Sequence, residues 1–192
     1  MGWRAPSKRC DSMQGGQAKD LAASDEKRGL IGGANDRSMT YRITGLDPAP
    51  FAALSALDDR QLAKRGIVRM TADAKPGFPC RVTLDDAEPG ETLLLVNHVS
   101  HDGGPYHASH AIFVSEGVTE EAHYVDRVPP ALDRRTLSVR SFDAKGMMTD
   151  AALVQPGEAD TAFKRMLADP TVDHLDAHNA TRGCFAARIE RG

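Results

Sequence analysis

The sequence predicts an α+β fold: a single domain with a largely antiparallel, curved sheet, one or two short N-terminal helices, and one amphipathic helix before a C-terminal β-hairpin. Three observations predict it. Strand-like stretches outnumber helical ones and follow one another through turns rather than alternating with helices, which favours α+β over α/β. Residues 156–169 carry Ala159, Ala162, Phe163, Met166 and Leu167 at helical spacing, a single apolar stripe stopped by Pro170. Residues 171–191 alternate with period 2 on either side of residues 179–183, which have hairpin-turn chemistry.

At 192 residues the chain fits one domain, or one domain plus a tail. Residues 1–38 are rich in Gly, Ser, Asp, Lys and Arg, with Leu21, Leu30 and Ile31 as their large aliphatics. Such a segment cannot bury enough apolar surface to offset its ordering entropy, so it is expected to be a disordered extension. Normal patterning begins at Met39, which reads as the natural start of a single α+β domain over residues 39–192.

Along that domain, residues 40–44 read as a strand. Asp47-Pro48 is an N-cap with proline in the first helical turn, followed by Phe51, Leu54 and Leu57 at helical spacing. Asp58 and Asp59 cap a second short turn ended by Gly66. Strands are expected at 67–72, at 80–84 with Cys80, Val82 and Leu84 on one face, and at 91–99, where Leu93-Leu94-Leu95-Val96 suggests burial on both faces. Residues 100–106 are a loop, 107–115 a strand, and 117–134 a long loop containing Pro129-Pro130. Two further strands, 137–142 and 148–154, precede the amphipathic helix.

In the terminal hairpin, the self-consistent register places Leu175 across from Ala187, Ala177 from Phe185 and His178 from Cys184. One face is then mostly apolar (Leu175, Ala177, Phe185, Ala187, Ile189). The other carries His174, Asp176, His178, Cys184 and Arg188.

Composition removes several functional classes. A net charge of −3 leaves no electrostatic footprint for nucleic acid or an anionic membrane. No apolar run is long enough to span a bilayer, and the N-terminus lacks a secretory pattern. Cys10, Cys80 and Cys184 are too scattered for a disulfide framework or a paired-cysteine zinc site. A soluble protein in the reducing cytoplasm is expected, with a small molecule as the partner. The sequence names no cofactor and sets no oligomeric state. Dinucleotide, P-loop, serine-hydrolase and zincin motifs are absent.

Chemistry concentrates in the histidines. His174, Asp176 and His178 share a strand face, which is either a solvated polar face or a metal-ligand set. The cross-strand pair His178 and Cys184 is either a half-buried cysteine beside a histidine or a thiol–imidazole pair in which the ring activates the sulfur. His107, His110 and Asn179 are candidates for lining the same pocket, and Arg140, in mid-strand, is a candidate anion partner. Cys80 reads as a buried, inert thiol.

Several phrases then form a pattern. They are Pro76-Gly77 with Pro79-Cys80-Arg81, Asp86-Ala87, Gly90-Glu91, Pro105-Tyr106 leading to His110-Ala111-Ile112-Phe113-Val114, and His178-Asn179-Ala180 with Gly183-Cys184. Together they resemble domain-of-unknown-function family 1203, a family of small soluble bacterial proteins. The resemblance runs from about Met39 to Arg191. It implies one domain over residues 39–192 and no particular activity, since none is assigned to the family. The functional alternatives are a small-ligand-binding module and a small enzyme using Cys184–His178 or a histidine-based metal site.

Overall fold

Period-2 alternation resolves into two antiparallel sheets in a computed structural model that describes residues 40–192. The expectation of a disordered segment at 1–38 lies outside the described residues. The six-stranded sheet uses β1 (Tyr41–Thr44), β5 (His123–Val125), β6 (Leu137–Phe142), β7 (Met148–Val154), β8 (His174–Asn179) and β9 (Phe185–Arg191), in the spatial order β5-β1-β9-β8-β6-β7. The three-stranded sheet is β2 (Val68–Thr71), β3 (Thr92–His101) and β4 (Ala108–Ser115), with β3 in the centre. The fold is therefore the expected α+β class.

Among the described residues four helices accompany the sheets: α1 (Ala49–Ala52), α2 (Asp59–Ala63), α3 (Pro130–Asp133) and α4 (Ala159–Leu167). α2 starts in a capping box, with the Asp58 carboxylate accepting from the Gln61 amide while the Gln61 side chain accepts from the Asp58 amide. α4 buries all five stripe residues. They pack on the face of the large sheet formed by Ile43, Leu137, Val139, Leu175, Ala177, Ala187 and Ile189. Tyr41 meets Phe163 edge-on at 5.7 Å in this core.

Three expectations need correction. Residues 80–84 form a tight turn rather than a strand. The Leu84 amide donates back to the Cys80 carbonyl at 3.0 Å, and Leu84 sits at φ 55°. Cys80, Val82 and Leu84 are all buried, but so is Arg81 between them, because the turn is enclosed on both sides: Leu84 joins the α4 core, and Cys80 and Val82 the cluster of the small sheet. The long loop at 117–134 contains β5 and α3. β5 is a three-residue edge strand, too short to show a period, and Pro130 opens α3 from its first turn, where a missing N–H costs nothing. β3 extends through Ser100 and His101 into the region read as loop.

The terminal hairpin forms with a different register. Leu175 lies opposite Ile189, Asp176 opposite Arg188 and Ala177 opposite Ala187. That shift moves each partner by two residues, so the core face is preserved. A β-bulge then follows between Ala177 and His178, and His178 lies opposite Phe185. The bulge turns Phe185 away from the α4 core and into a second cluster with Val96, Ile112 and Val114 of the small sheet.

Candidate functional site

All six residues of β8 are buried, so both of its faces are covered. The β3–β4 hairpin lies against the polar face: His98 and Phe185 rings are 5.7 Å apart, and His110 and His178 rings 5.0 Å. The solvated reading of His174, Asp176 and His178 is therefore corrected. Alternation shows which residues share a face, but the cover comes from strands far upstream. Asp176 is 1% and His178 2% exposed.

Burial of imidazoles in this interlayer disfavours their charged forms. His178 is pushed down to about 4 by burial, then by the charges of Arg140 and His110. His110 is held below its ordinary value by burial, then by Arg140 and Arg81, against a pull from Asp176. His98 is lowered by burial, then by His110 and Arg188. His110 is oriented by Ser100, whose hydroxyl lies 3.1 Å from the ring Nδ1. Arg188 clamps the layers: its Nε and Nη2 donate to the Asp176 carboxylate at 2.8 and 3.1 Å, and Nη2 also donates to the Ser100 carbonyl at 3.1 Å.

At one end of the interlayer lies a cleft of about 690 Å³, where the turn after β8 meets β4, the 77–81 segment and the start of β6. Its polar wall holds Arg81, Arg135, Arg182, His110, Asn179 and Cys184, and no carboxylate. Arg81 is 3% exposed and spends its guanidinium on the Phe185 carbonyl at 2.8 Å, the Pro79 carbonyl, and the Cys184 Sγ at 3.2 Å. Burial lowers the Arg81 pKa, offset in part by Cys184. The Asn179 side-chain amide also donates to Cys184 Sγ, at 3.3 Å. Its Oδ1 is buried with no hydrogen-bond partner among the described residues. Arg135 bonds Asp86, which is fully enclosed and also accepts from the Gly77 amide at 3.1 Å. At the rim, Arg182 is exposed and has no ion pair among the described residues.

The sequence-predicted residues therefore divide. Cys184, His110 and Asn179 come together in the cleft wall. His178 does not pair with Cys184: the bulge sets it opposite Phe185, its Nδ1 is buried with no hydrogen-bond partner among the described residues, and the sulfur's partners are Arg81 and Asn179. His107 is exposed on the loop beside Asp102, at 3.6 Å, and lines no part of the cleft. Arg140 lies across β6–β8 from Asp176, outside the cleft wall, where its charge acts on His110 and His178. His174 and Asp176 do stay together, but His101 rather than His178 is their third neighbour.

Arg81 and Arg135 were missed. The one signal for Arg81 was a cation between Cys80 and Val82 in an apolar stretch, a place where a charge survives only when its donors are satisfied. Cys80 is buried and faces inward, as expected. Burial pushes its thiol up, but the amides of Ser115 and Thr83 donating to its sulfur outweigh that and hold it below its ordinary value.

Among the described residues no helix is long and apolar enough to cross a membrane. Neither a curated protein nor a solved structure matches the chain. The sequence pattern described as Protein of unknown function (DUF1203) matches residues 77–191, which span the cleft wall from Gly77 to Cys184. That is more than half of the chain, and the chain belongs to this family.

Proposed function

We propose that the domain binds a small anionic molecule in the cleft, with the Cys184 thiol against it. The observation that carries this reading is the composition of the wall: three arginines, a histidine and an amide, with no carboxylate among the lining residues. Asp86 neutralises Arg135 from behind, while Arg182 is left to meet a ligand. The unpartnered Asn179 Oδ1 adds a hydrogen-bond acceptor. A carboxylate or phosphate that also carries an N–H or O–H donor satisfies both features. Residues 39–192 are the unit that carries the activity, since every lining residue falls between Met70 and Cys184. The free thiols of Cys80 and Cys184 suit a reducing, cytoplasmic setting.

The Arg81–Cys184 contact favours a second reading, an enzyme in which Cys184 is the reactive group. A guanidinium donating to sulfur stabilises negative charge there, the role first assigned to His178.

One labelling experiment tests the binding reading. Iodoacetate is a small carboxylate, whereas iodoacetamide is neutral and alkylates free thiols somewhat faster. The cleft should reverse that order at Cys184, and Arg182→Ala should restore it. Peptide mapping assigns the label, with buried Cys80 as an internal control. An iodoacetate-to-iodoacetamide ratio at Cys184 equal to that of glutathione would sink the anion-binding proposal. Fast alkylation by both reagents would support the reactive thiol without the anion site.

A further inference from the structure

We infer that His101, His174 and Asp176 form a binding site for one divalent transition-metal ion, separate from the cleft and independent of the function proposed for it. The His101 Nδ1 and the His174 Nε2 each lie 4.0 Å from the same carboxylate oxygen, Asp176 Oδ2. All three ligand atoms fall within 4.8 Å of one another. A separation of 4.0 Å is too long for a hydrogen bond. It suits two atoms that share an ion, since zinc-like ions hold imidazole nitrogen and carboxylate oxygen at ~2.0–2.2 Å. Ligand atoms that share such an ion tetrahedrally stand about 3.4 Å apart, so the edges of the triangle shorten by roughly 0.6 Å or more on binding, a movement that side-chain rotation supplies.

Three features show the site to be built. First, His174 is 8% exposed, and its Nε2 is buried with no hydrogen-bond partner among the described residues. Its other nitrogen, Nδ1, lies 2.9 Å from the Asp173 carboxylate. A proton on Nδ1, shared with Asp173, leaves the Nε2 lone pair facing Asp176, the arrangement by which an outer carboxylate orients a ligating histidine.

Second, the backbone aims His101 at β8. A β-bulge between Val99 and His101 breaks the β3–β4 ladder, and bulges re-aim side chains. The Phe142 ring then backs both imidazoles, stacking at 4.5 Å on His101 and 5.4 Å on His174. Gly146, at φ 75°, lets the β6–β7 turn approach, because a Cβ there would fall 3.2 Å from the His101 Nε2. Third, Arg188 binds both oxygens of Asp176 and fixes the carboxylate plane. Each carboxylate oxygen has a second lone pair, so Oδ2 can accept from Arg188 and face an ion at once. Two imidazoles and one carboxylate select Zn²⁺, Fe²⁺, Co²⁺ or Mn²⁺ over Ca²⁺ or Mg²⁺.

The test uses the full chain without a histidine tag, stripped with chelator and titrated with Co²⁺ while visible absorption is recorded. One equivalent should bind with the d–d bands of a nitrogen–oxygen site, and excess Zn²⁺ should displace it. His101→Ala and His174→Ala should each lose the bands, and Asp173→Asn should weaken binding roughly 10–100-fold. Cys184→Ser should leave them unchanged, which separates this site from the cleft. Should either alanine variant fail to fold, proton NMR of the Co²⁺ form of the wild-type chain decides. Two paramagnetically shifted imidazole N–H signals are expected. Absence of a Co²⁺ equivalent, or bands that persist in both alanine variants, would overturn the assignment.

Discussion

The Arg81 guanidinium donates to the Cys184 sulfur at 3.2 Å, joining a buried cation in the turn after Pro79 to the only described cysteine with access to the cleft. The same guanidinium holds the Phe185 carbonyl at the start of β9. One side chain therefore positions the thiol and closes the terminal hairpin.

Arg81→Met should separate these two roles. It leaves the Phe185 and Pro79 carbonyls without their donor, and unsatisfied buried acceptors cost about 1–3 kcal/mol each. A loss of about 2–4 kcal/mol is expected in urea unfolding, together with slower alkylation of Cys184. Cys184→Ser, which leaves both carbonyl bonds intact, should cost much less. Equal stabilities for the two variants would count against the bracing role.

Acid should loosen the contact between the β3–β4 hairpin and the large sheet. His98 and His110 are held below their ordinary 6.5 in the folded state, by burial first and then by neighbouring cations: His110 and Arg188 act on His98, and Arg140 and Arg81 act on His110. Asp176 opposes the shift at His110. The unfolded chain therefore takes up these protons at a higher pH than the folded chain does. Stability is fully present above about pH 6.5 and falls as the pH drops through the unfolded value toward the folded ones. His178, held at about 4, pulls in the same direction. Urea midpoints measured from pH 7.5 to 4.5 should decline, and less steeply in His110→Gln. A flat profile would mean that these rings are not buried neutral.

Gly45 is expected to tolerate no side chain. A Cβ there would lie 1.9 Å from the Val82 carbonyl oxygen, and that oxygen already accepts from the Ala122 amide at 2.9 Å. The obstruction is backbone on backbone, so rotamer changes cannot relieve it. Gly45→Ala should cost at least about 2–3 kcal/mol, read as a lower thermal midpoint. A wild-type midpoint would show that β1 enters the sheet by another path.

Phe163 is fully buried at the centre of the α4 stripe. Phe163→Ala should cost about 3–5 kcal/mol, because the cavity opens against Tyr41 in the close-packed core beneath the sheet. Calorimetry of the variant checks the value. A loss below about 1 kcal/mol would place α4 outside the main core.

Much of this molecule was legible from local pattern. The α4 stripe, the two strands β6 and β7 before it, and the two-faced terminal hairpin follow from spacing alone, because period 3.6 and period 2 decide which residues share a side. The grouping of His174 with Asp176 rests on the same periodicity, and that of Asn179 with Cys184 on chain proximity, whereas His110 reaches them from the other sheet through the fold. Tertiary structure decided the rest. A two-residue shift of register followed by a single bulge after Ala177 put Phe185 rather than Cys184 opposite His178, and the sulfur is held by Arg81 instead. The cover over the polar face of β8 comes from β3 and β4, and a strand's own sequence carries no record of what will pack on it. Charge placement shows the same limit: Arg81 is buried on bonds to the nearby Pro79 carbonyl and to the Phe185 carbonyl and Cys184 sulfur far along the chain, partners that its own stretch of sequence does not reveal. The terminal hairpin's faces were local properties of the chain, whereas the partners across those faces were chosen by the fold.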